Sequence, residues 1–174
     1  HTRSLCDWSS DVCSSDLPLP AELIEKIRNS AKFNKGFVTV EAVASALVDM
    51  KIHLAGNVKI DPDSFERATL QSIGMPSEIV MRHRLPQFGH IFSDDGYSAG
   101  YYSYLWSDVL SADAYSAFTE AGGPYDKAVA KRLVDHVFSV GATVDEAEGY
   151  KAFRGREPNS DALMISRGFP VPRK

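Results

Sequence analysis

Apolar side chains recur every three or four residues in several separate stretches of the chain, which is the spacing of one face of an α-helix. A first stretch follows Pro20, a residue that suits the first turn of a helix, and runs to Ala31. The pattern is interrupted around Gly36 and resumes from Val40 to Leu54. The spacing therefore predicts two successive helices early in the chain.

Capping residues divide the rest of the chain into further helices. Asp61 and Pro62 form an N-cap and first-turn pair that opens a helix running to about Ile73. The stretch 81–100 is rich in turn formers and has no sustained period. Further helices are predicted from Tyr97 to the stop at Gly122–Pro124, over 126–140 with Gly141 as its C-terminal cap, over 145–153 and over 161–167. With no internal repeat and no strand–helix alternation, the sequence predicts a mainly α fold.

Composition places the chain among ordinary globular proteins. Its 174 residues are 44% hydrophobic and 24% charged, with a formal net charge of −4, and this length suffices for one domain with a sizeable core. No basic run stands out, so we expect no nucleic-acid partner. No apolar stretch approaches the length that crosses a bilayer, so we expect no membrane partner.

The opening stretch, residues 1–17, contains the chain's two cysteines, Cys6 and Cys13, and has no hydrophobic periodicity. Read alone, the pair suggests a small disulfide loop. Codon by codon, however, Asp7 to Leu17 matches the translation of a common short-read sequencing adapter, and residues 1–6 fit its upstream bases. We therefore predict that residues 1–17 are translated adapter and that 18–174 is the native segment, with a natural disordered tail as the alternative.

Candidate chemistry lies in the stretch "HIFSDDGYSAGYYSYLWSDVL". If a helix begins at Tyr97, then Tyr97, Tyr101, Tyr104 and Asp108 share one face, with His90 just ahead of them. Such a row of phenols can stabilise an oxyanion or hold a peptide carbonyl. The alternative is an aromatic stripe buried in the core. The sequence contains no HExxH, no closely paired cysteines outside the opening stretch and no G-x-S-x-G.

Three stretches carry a resemblance to a known family: "FGHIF", "GYSAGYYSYLWSDVLSADAYSAF" and "YKAFRGREPNSDALMISRG". They resemble the C-terminal part of the M3 family of zinc metallopeptidases. The upstream stretch "RNSAKFNKGFVTVEAVASALVDMKIHL" most resembles the dipeptidyl carboxypeptidase branch of that family. The resemblance covers nearly all of residues 18–169.

The resemblance implies that residues 18–174 are the helical C-terminal part of a two-lobed M3 catalytic domain. It implies a peptidyl-dipeptidase that releases C-terminal dipeptides from oligopeptides. In the family, zinc is bound upstream by an HExxH helix and a later glutamate, so we expect zinc in the full-length enzyme and no metal ligand here. The segment alone should be inactive, and its partners should be the oligopeptide substrate and the missing N-terminal part of the chain. A cytoplasmic location is expected, with a periplasmic one as the alternative.

Carried over by position, the family's substrate-side residues are His90, Tyr97, Tyr101 and Tyr104. Tyr104 is predicted to donate to the oxyanion, and His90 and Tyr97 to contact the substrate backbone. Tyr101 is also assigned to substrate binding, although a tyrosine that only forms the wall of the site would look identical in sequence. Many relatives have Gly-Gly ahead of the first tyrosine, where this chain has the more acidic stretch 94–96. That difference affects how far the side chain of Tyr97 can extend toward the substrate.

Two other functions stay open at the level of sequence. The first is a non-catalytic helical interaction module that kept the family's packing and lost its chemistry. The second is an endo-acting oligopeptidase of the same family, because exopeptidase restriction depends on how the substrate channel closes beyond the scissile bond.

Overall fold

The computed structural model describes residues 19–171, and within that range it contains helices and turns but no β-strand. A mainly α fold is thus confirmed. The chain divides after Phe33 into two compact units. The first contains α1 (Ala21–Ser30), which begins directly behind Pro20 as predicted. Its first turn is closed by the carbonyl of Pro20, which accepts from the amides of Leu23 and Ile24 at 3.0 and 3.1 Å.

The second unit, from residue 34 onward, contains the other helices. They are α2 (Lys35–Leu54), α3 (Pro62–Ser72), α4 (Gly89–Phe92), α5 (Ser103–Glu120), α6 (Lys127–Leu133), α7 (Glu146–Arg154) and α8 (Asp161–Ser166). A π-helical turn (Val134–Phe138) follows α6, and short 3₁₀ turns lie at Leu85–Gln87 and Gly141–Thr143. The predicted cap at Asp61 is confirmed, because its carboxylate accepts from the amide of Ser64 at 2.9 Å.

The predicted break between the first two helices lies earlier than expected. Gly36 is inside α2, and the chain turns instead at Asn34, whose φ of 56° is in the left-handed region. Asparagine tolerates that conformation better than most residues, so it can separate two helices without a glycine. The predicted interruption within the stretch 34–37 is therefore confirmed, with its turn at Asn34 and not at Gly36.

One hydrophobic core joins α2 and α3 to the segment 81–91. Its buried members are Ala44, Val48, Leu70, Met81, Leu85, Phe88 and Ile91. The segment is anchored by Glu66, which is 2% exposed, accepts from the Leu85 amide at 3.0 Å and pairs with Arg84 at 2.6 Å. These bonds order a stretch that the sequence predicted to be irregular, and they place α4 at its end.

A second core joins α5, α6 and α7 through the buried residues Ala117, Val129 and Phe153. Here α7 lies very close to the π-helical turn. A Cβ on Gly149 would come within 2.7 Å of the carbonyl oxygen of His136, so only glycine permits this approach. The continuous α-helix predicted over 126–140 is wrong at its C-terminal end, because the π turn replaces the last α-helical hydrogen bonds.

Asp113 on α5 connects this helix to α7 and the turn behind it. Its carboxylate is fully buried, accepts from the hydroxyl of Tyr150 at 2.7 Å and forms a bidentate pair with the guanidinium of Arg156. The backbone carbonyl of Asp113 accepts from Arg154, which also pairs with Glu120 at 2.6 Å. Burial and the hydrogen bond to Asp113 raise the pKa of Tyr150 well above its usual range.

Helix α5 begins at Ser103, and the prediction that it begins at Tyr97 was wrong. Residues 97–102 form turns in which Ala99 takes a φ of 57°, the left-handed region that a helix cannot contain. The amides of Ala99 and Tyr101 donate to a side chain on α2 instead of to the carbonyls of a preceding helical turn. The tyrosines therefore do not share one helical face.

Candidate functional site

The structure nevertheless brings together the four predicted site residues. His90 lies on α4, Tyr97 and Tyr101 lie in the turns before α5, and Tyr104 lies in its first turn. The ring of His90 lies 5.8, 6.1 and 6.4 Å, centroid to centroid, from the rings of Tyr97, Tyr101 and Tyr104. We call these four residues the His–Tyr cluster.

The tyrosine rings in the cluster also pack directly on one another. Tyr97 and Tyr104 stack at 5.3 Å with an angle of 12° between the ring planes. Tyr101 meets Tyr104 edge to face at 5.2 Å. Both are favoured geometries for aromatic pairs, so the three rings hold one another in place.

One side of the His–Tyr cluster faces the core and the other faces solvent. Tyr101 packs edge to face on Phe88 at 4.9 Å, and Phe88 is 1% exposed. By contrast, Tyr104 is 45% exposed and His90 is also exposed. The cluster is therefore not a buried aromatic stripe: it has a floor at Tyr101 and an accessible edge at Tyr104 and His90.

The phenol of Tyr104 is held in its protonated form. A side-chain hydrogen bond with Tyr97 is the main reason that the pKa of Tyr104 lies above its usual value, and partial desolvation adds to the shift. A neutral phenol is a hydrogen-bond donor, whereas a phenolate is only an acceptor. Tyr104 thus keeps its proton at neutral and moderately alkaline pH.

Removing the hydroxyl of Tyr97 should return the pKa of Tyr104 toward its ordinary value near 10, because the hydrogen bond that stabilises the neutral phenol is lost. Tyrosine Cζ chemical shifts, followed by NMR against pH in the full-length protein and in Tyr97→Phe, measure this change. Tyr115→Phe, at an exposed position on α5 outside the cluster, is the control. An unchanged Tyr104 titration in Tyr97→Phe would contradict the assignment.

Asp49 and His53 on α2 support the cluster and were missed at the level of sequence. Asp49 is fully buried, and its two carboxylate oxygens accept from the amides of Ala99 at 3.0 Å and Tyr101 at 2.9 Å. The Nδ1 atom of His53 lies 2.9 Å from Asp49 Oδ1. The available signal was a pair of polar residues spaced four apart within a largely apolar helix.

Within residues 19–171, no group of three His, Cys, Asp or Glu side chains is arranged to hold a metal ion. His83 stacks beside His90 at 6.4 Å, without a third such ligand among the described residues. The residues present here therefore do not fit a zinc site. No helix in the described range is long and apolar enough to cross a bilayer. Cys6, Cys13 and the rest of the predicted adapter lie outside the described residues.

Comparison with known proteins identifies the family to which the chain belongs. The sequence profile of peptidase family M3 matches residues 9–169, a range that begins inside the stretch predicted to be adapter, whose origin stays a prediction. The helical fold and this match agree with a helical part of a member of that family. The chain belongs to peptidase family M3.

Individual relatives agree with this assignment. The chain is 35% identical to the dipeptidyl carboxypeptidase of Salmonella typhimurium, over 97% of this chain and 25% of the relative. It is 36% identical to the Escherichia coli dipeptidyl carboxypeptidase, over 90% of this chain and 23% of the relative. It is 35% identical to oligopeptidase A of Salmonella typhimurium, over 87% of this chain and 22% of the relative. The chain thus spans about a quarter of the length of these relatives.

Proposed function

We propose that the full-length protein is a zinc metallopeptidase that releases dipeptides from the C-termini of oligopeptides. In this proposal the present segment supplies the substrate side of the active site. The observation that carries the proposal is the accessible His–Tyr cluster in a chain of peptidase family M3. Zinc and its ligands are proposed for the remainder of the protein, because the described residues do not fit a zinc site.

The chemistry proposed for the cluster is hydrogen bonding to a peptide as its carbonyl becomes tetrahedral. The negative charge then develops on the carbonyl oxygen, and a preorganised donor stabilises it more than it stabilises the planar substrate. We assign that role to the exposed, protonated phenol of Tyr104. His90 and Tyr97, which flank Tyr104, are proposed to bind the peptide backbone through an imidazole N–H and a phenol.

Tyr101 has a different proposed part in the same site. Its ring packs on buried Phe88 and meets Tyr104 edge to face. This position favours a supporting role, in which Tyr101 holds Tyr104 in place and forms the floor beneath the peptide. Direct substrate contact by Tyr101 would then involve the face of its ring.

The remaining part of the protein is proposed to cover apolar surface that this segment exposes. Several large side chains of α4, α5 and the turn between them are more than half exposed, including Phe92, Tyr102, Trp106 and Tyr115. Isolated proteins rarely leave such groups together in solvent. Because the chain spans about a quarter of its relatives, these side chains have a natural partner in the rest of the same polypeptide.

Endo-acting oligopeptidase activity is the second candidate. The oligopeptidase A relatives of Salmonella typhimurium and Escherichia coli are 35% and 34% identical to the chain, nearly as similar as the dipeptidyl carboxypeptidases. Resemblance of the α1–α2 region to the dipeptidyl carboxypeptidase branch favours the exopeptidase.

Product analysis distinguishes these functions. The full-length protein is incubated with zinc and an oligopeptide that has either a free or an amidated C-terminus, and the products are identified by mass spectrometry. We expect C-terminal dipeptides from the free peptide and little cleavage of the amidated one. Internal cleavage of both peptides would favour the oligopeptidase, and no cleavage of either would favour the interaction module. The 174-residue chain alone should release nothing, and zinc-dependent turnover by it would contradict the proposed division of the site.

A further inference from the structure

We infer that Asp49 is a positioning residue of the active site: from the core it fixes the turn that presents Tyr97 and Tyr101, and through them it holds Tyr104. The inference rests on the proposed function, in which the His–Tyr cluster binds the peptide. It concerns a residue on α2, which is separated from the cluster by about 50 positions in sequence.

The turn at 97–102 is not held by regular helical hydrogen bonds. Its internal bonds are those of tight turns, from the Gly100 amide to the Tyr97 carbonyl at 2.9 Å and from the Ser103 amide to the Gly100 carbonyl at 3.0 Å. Between them Ala99 takes a φ of 57°, which costs energy for any residue with a Cβ. An external partner must therefore maintain this conformation.

Asp49 supplies that partner. One oxygen accepts from the Ala99 amide at 3.0 Å and the other from the Tyr101 amide at 2.9 Å. One carboxylate thus accepts from the amide of the left-handed Ala99 and from the amide two residues further on, so its two bonds favour the strained conformation. The carboxylate is fully buried, where charge-assisted hydrogen bonds are strong and an unmade one is costly.

His53 completes the arrangement one helical turn further along α2. Its Nδ1 lies 2.9 Å from Asp49 Oδ1, and its ring packs against Phe92 at 5.8 Å. The same Nδ1 lies 3.3 Å from the Ala99 amide nitrogen, so the imidazole contacts both the carboxylate and the turn that it holds. In the tautomer with the proton on Nδ1, His53 gives the carboxylate a third donor. Asp49 and His53 together connect α2, α4 and the turn that leads into α5.

A carboxylate is the side chain that this geometry requires. Both of its oxygens accept, whereas an amide of the same shape has one acceptor and a donor that would face one of the two backbone amides. Asp49→Asn therefore changes the turn without changing the volume of the core. In the full-length protein we expect Asp49→Asn to lower kcat about 10- to 100-fold, since small displacements of positioning groups have effects of this order. We expect KM to change less than threefold.

A double-mutant cycle separates positioning from general destabilisation. If Asp49 acts through Tyr104, then adding Asp49→Asn to Tyr104→Phe should lower kcat by less than about threefold, because the donor that it positions is already gone. If Asp49 only stabilises the fold, the two losses should multiply, and that result would overturn the inference. Asp113→Asn is the matched control: it alters another fully buried carboxylate, on α5, with no contact to the turn. At a temperature where it stays folded, it should retain kcat.

A second pair of variants covers the case in which Asp49→Asn does not fold. His53→Leu removes the imidazole contact with Asp49 and should lower kcat, whereas His53→Asn can place an amide group near the position of Nδ1 and should restore most of it. Equal kcat values for these two variants would overturn the inference. Failure of the proposed function is distinguishable, because in that case Tyr104→Phe itself would leave kcat unchanged.

Discussion

We expect the replacement of Tyr104 by phenylalanine in the full-length protein to lower kcat by about 100- to 1000-fold and to change KM little, which is the effect of removing one oxyanion donor. The substitution deletes a single oxygen and keeps the ring that stacks on Tyr97 and meets Tyr101. Tyr104 is 45% exposed and its phenol is protonated in the free protein. In the proposed function this hydroxyl acts mainly once the carbonyl becomes tetrahedral, so its loss should affect the transition state more than the ground state.

Tyr102→Phe is the matched control for this prediction. Tyr102 is similarly exposed and lies two positions from Tyr104, but it belongs to no aromatic pair of the His–Tyr cluster. Steady-state kinetics should find its kcat within about twofold of the unmodified enzyme, as for surface changes away from the reacting atoms. A Tyr104→Phe enzyme with unchanged kcat would assign Tyr104 a purely structural role.

Truncating Asp113 to alanine is expected to destabilise the packing of α5 and α7 by about 3 kcal/mol, because it removes a buried carboxylate that accepts several hydrogen bonds, although its partner Arg156 is 39% exposed. The carboxylate is fully buried, and it neutralises Arg156 while accepting from Tyr150. Its removal leaves the guanidinium and the phenol without their buried acceptor. These bonds hold α7, which contributes Phe153 to the second core.

Hydrogen exchange of the α7 amides in the full-length protein measures this effect locally. Protection factors over Glu146–Arg154 should fall by at least about 100-fold, which corresponds to roughly 3 kcal/mol of opening free energy. Asp108→Ala is the control, since it removes a carboxylate of the same helix that is 58% exposed and pairs with Arg167. Exposed pairs contribute about 1 kcal/mol or less. If Asp113→Ala and Asp108→Ala lowered the protection factors equally, the larger contribution assigned to the buried carboxylate would be contradicted.

The helices were predictable wherever a local signal marks their ends. Asp61, Asp126 and Asp145 each accept from an amide in the first turn behind them, and these caps can be read from a few neighbouring residues. The start of α5 could not be read in this way. It depends on the left-handed Ala99, which Asp49 stabilises from another helix. The π turn after α6 likewise depends on its packing against Gly149.

The proximity of the four proposed site residues was predictable, whereas the way in which the fold brings them together was not. Resemblance to the M3 family pointed to His90 and the three tyrosines, and the structure brings their rings together. Helical spacing gave an incorrect reason for that proximity, because Tyr97 and Tyr101 precede the helix. Asp49 was missed because an aspartate in an apolar helix does not reveal which distant amides it will accept from.

A crystal structure of the full-length protein bound to a phosphinic peptide, a mimic of the tetrahedral intermediate, tests the central claim most directly. We expect the phenol oxygen of Tyr104 to lie within about 3 Å of a phosphinate oxygen, the distance of an O–H donor to an anionic acceptor, with His90 and Tyr97 against the peptide backbone. An inhibitor bound elsewhere, with the His–Tyr cluster facing only protein or solvent, would contradict the account.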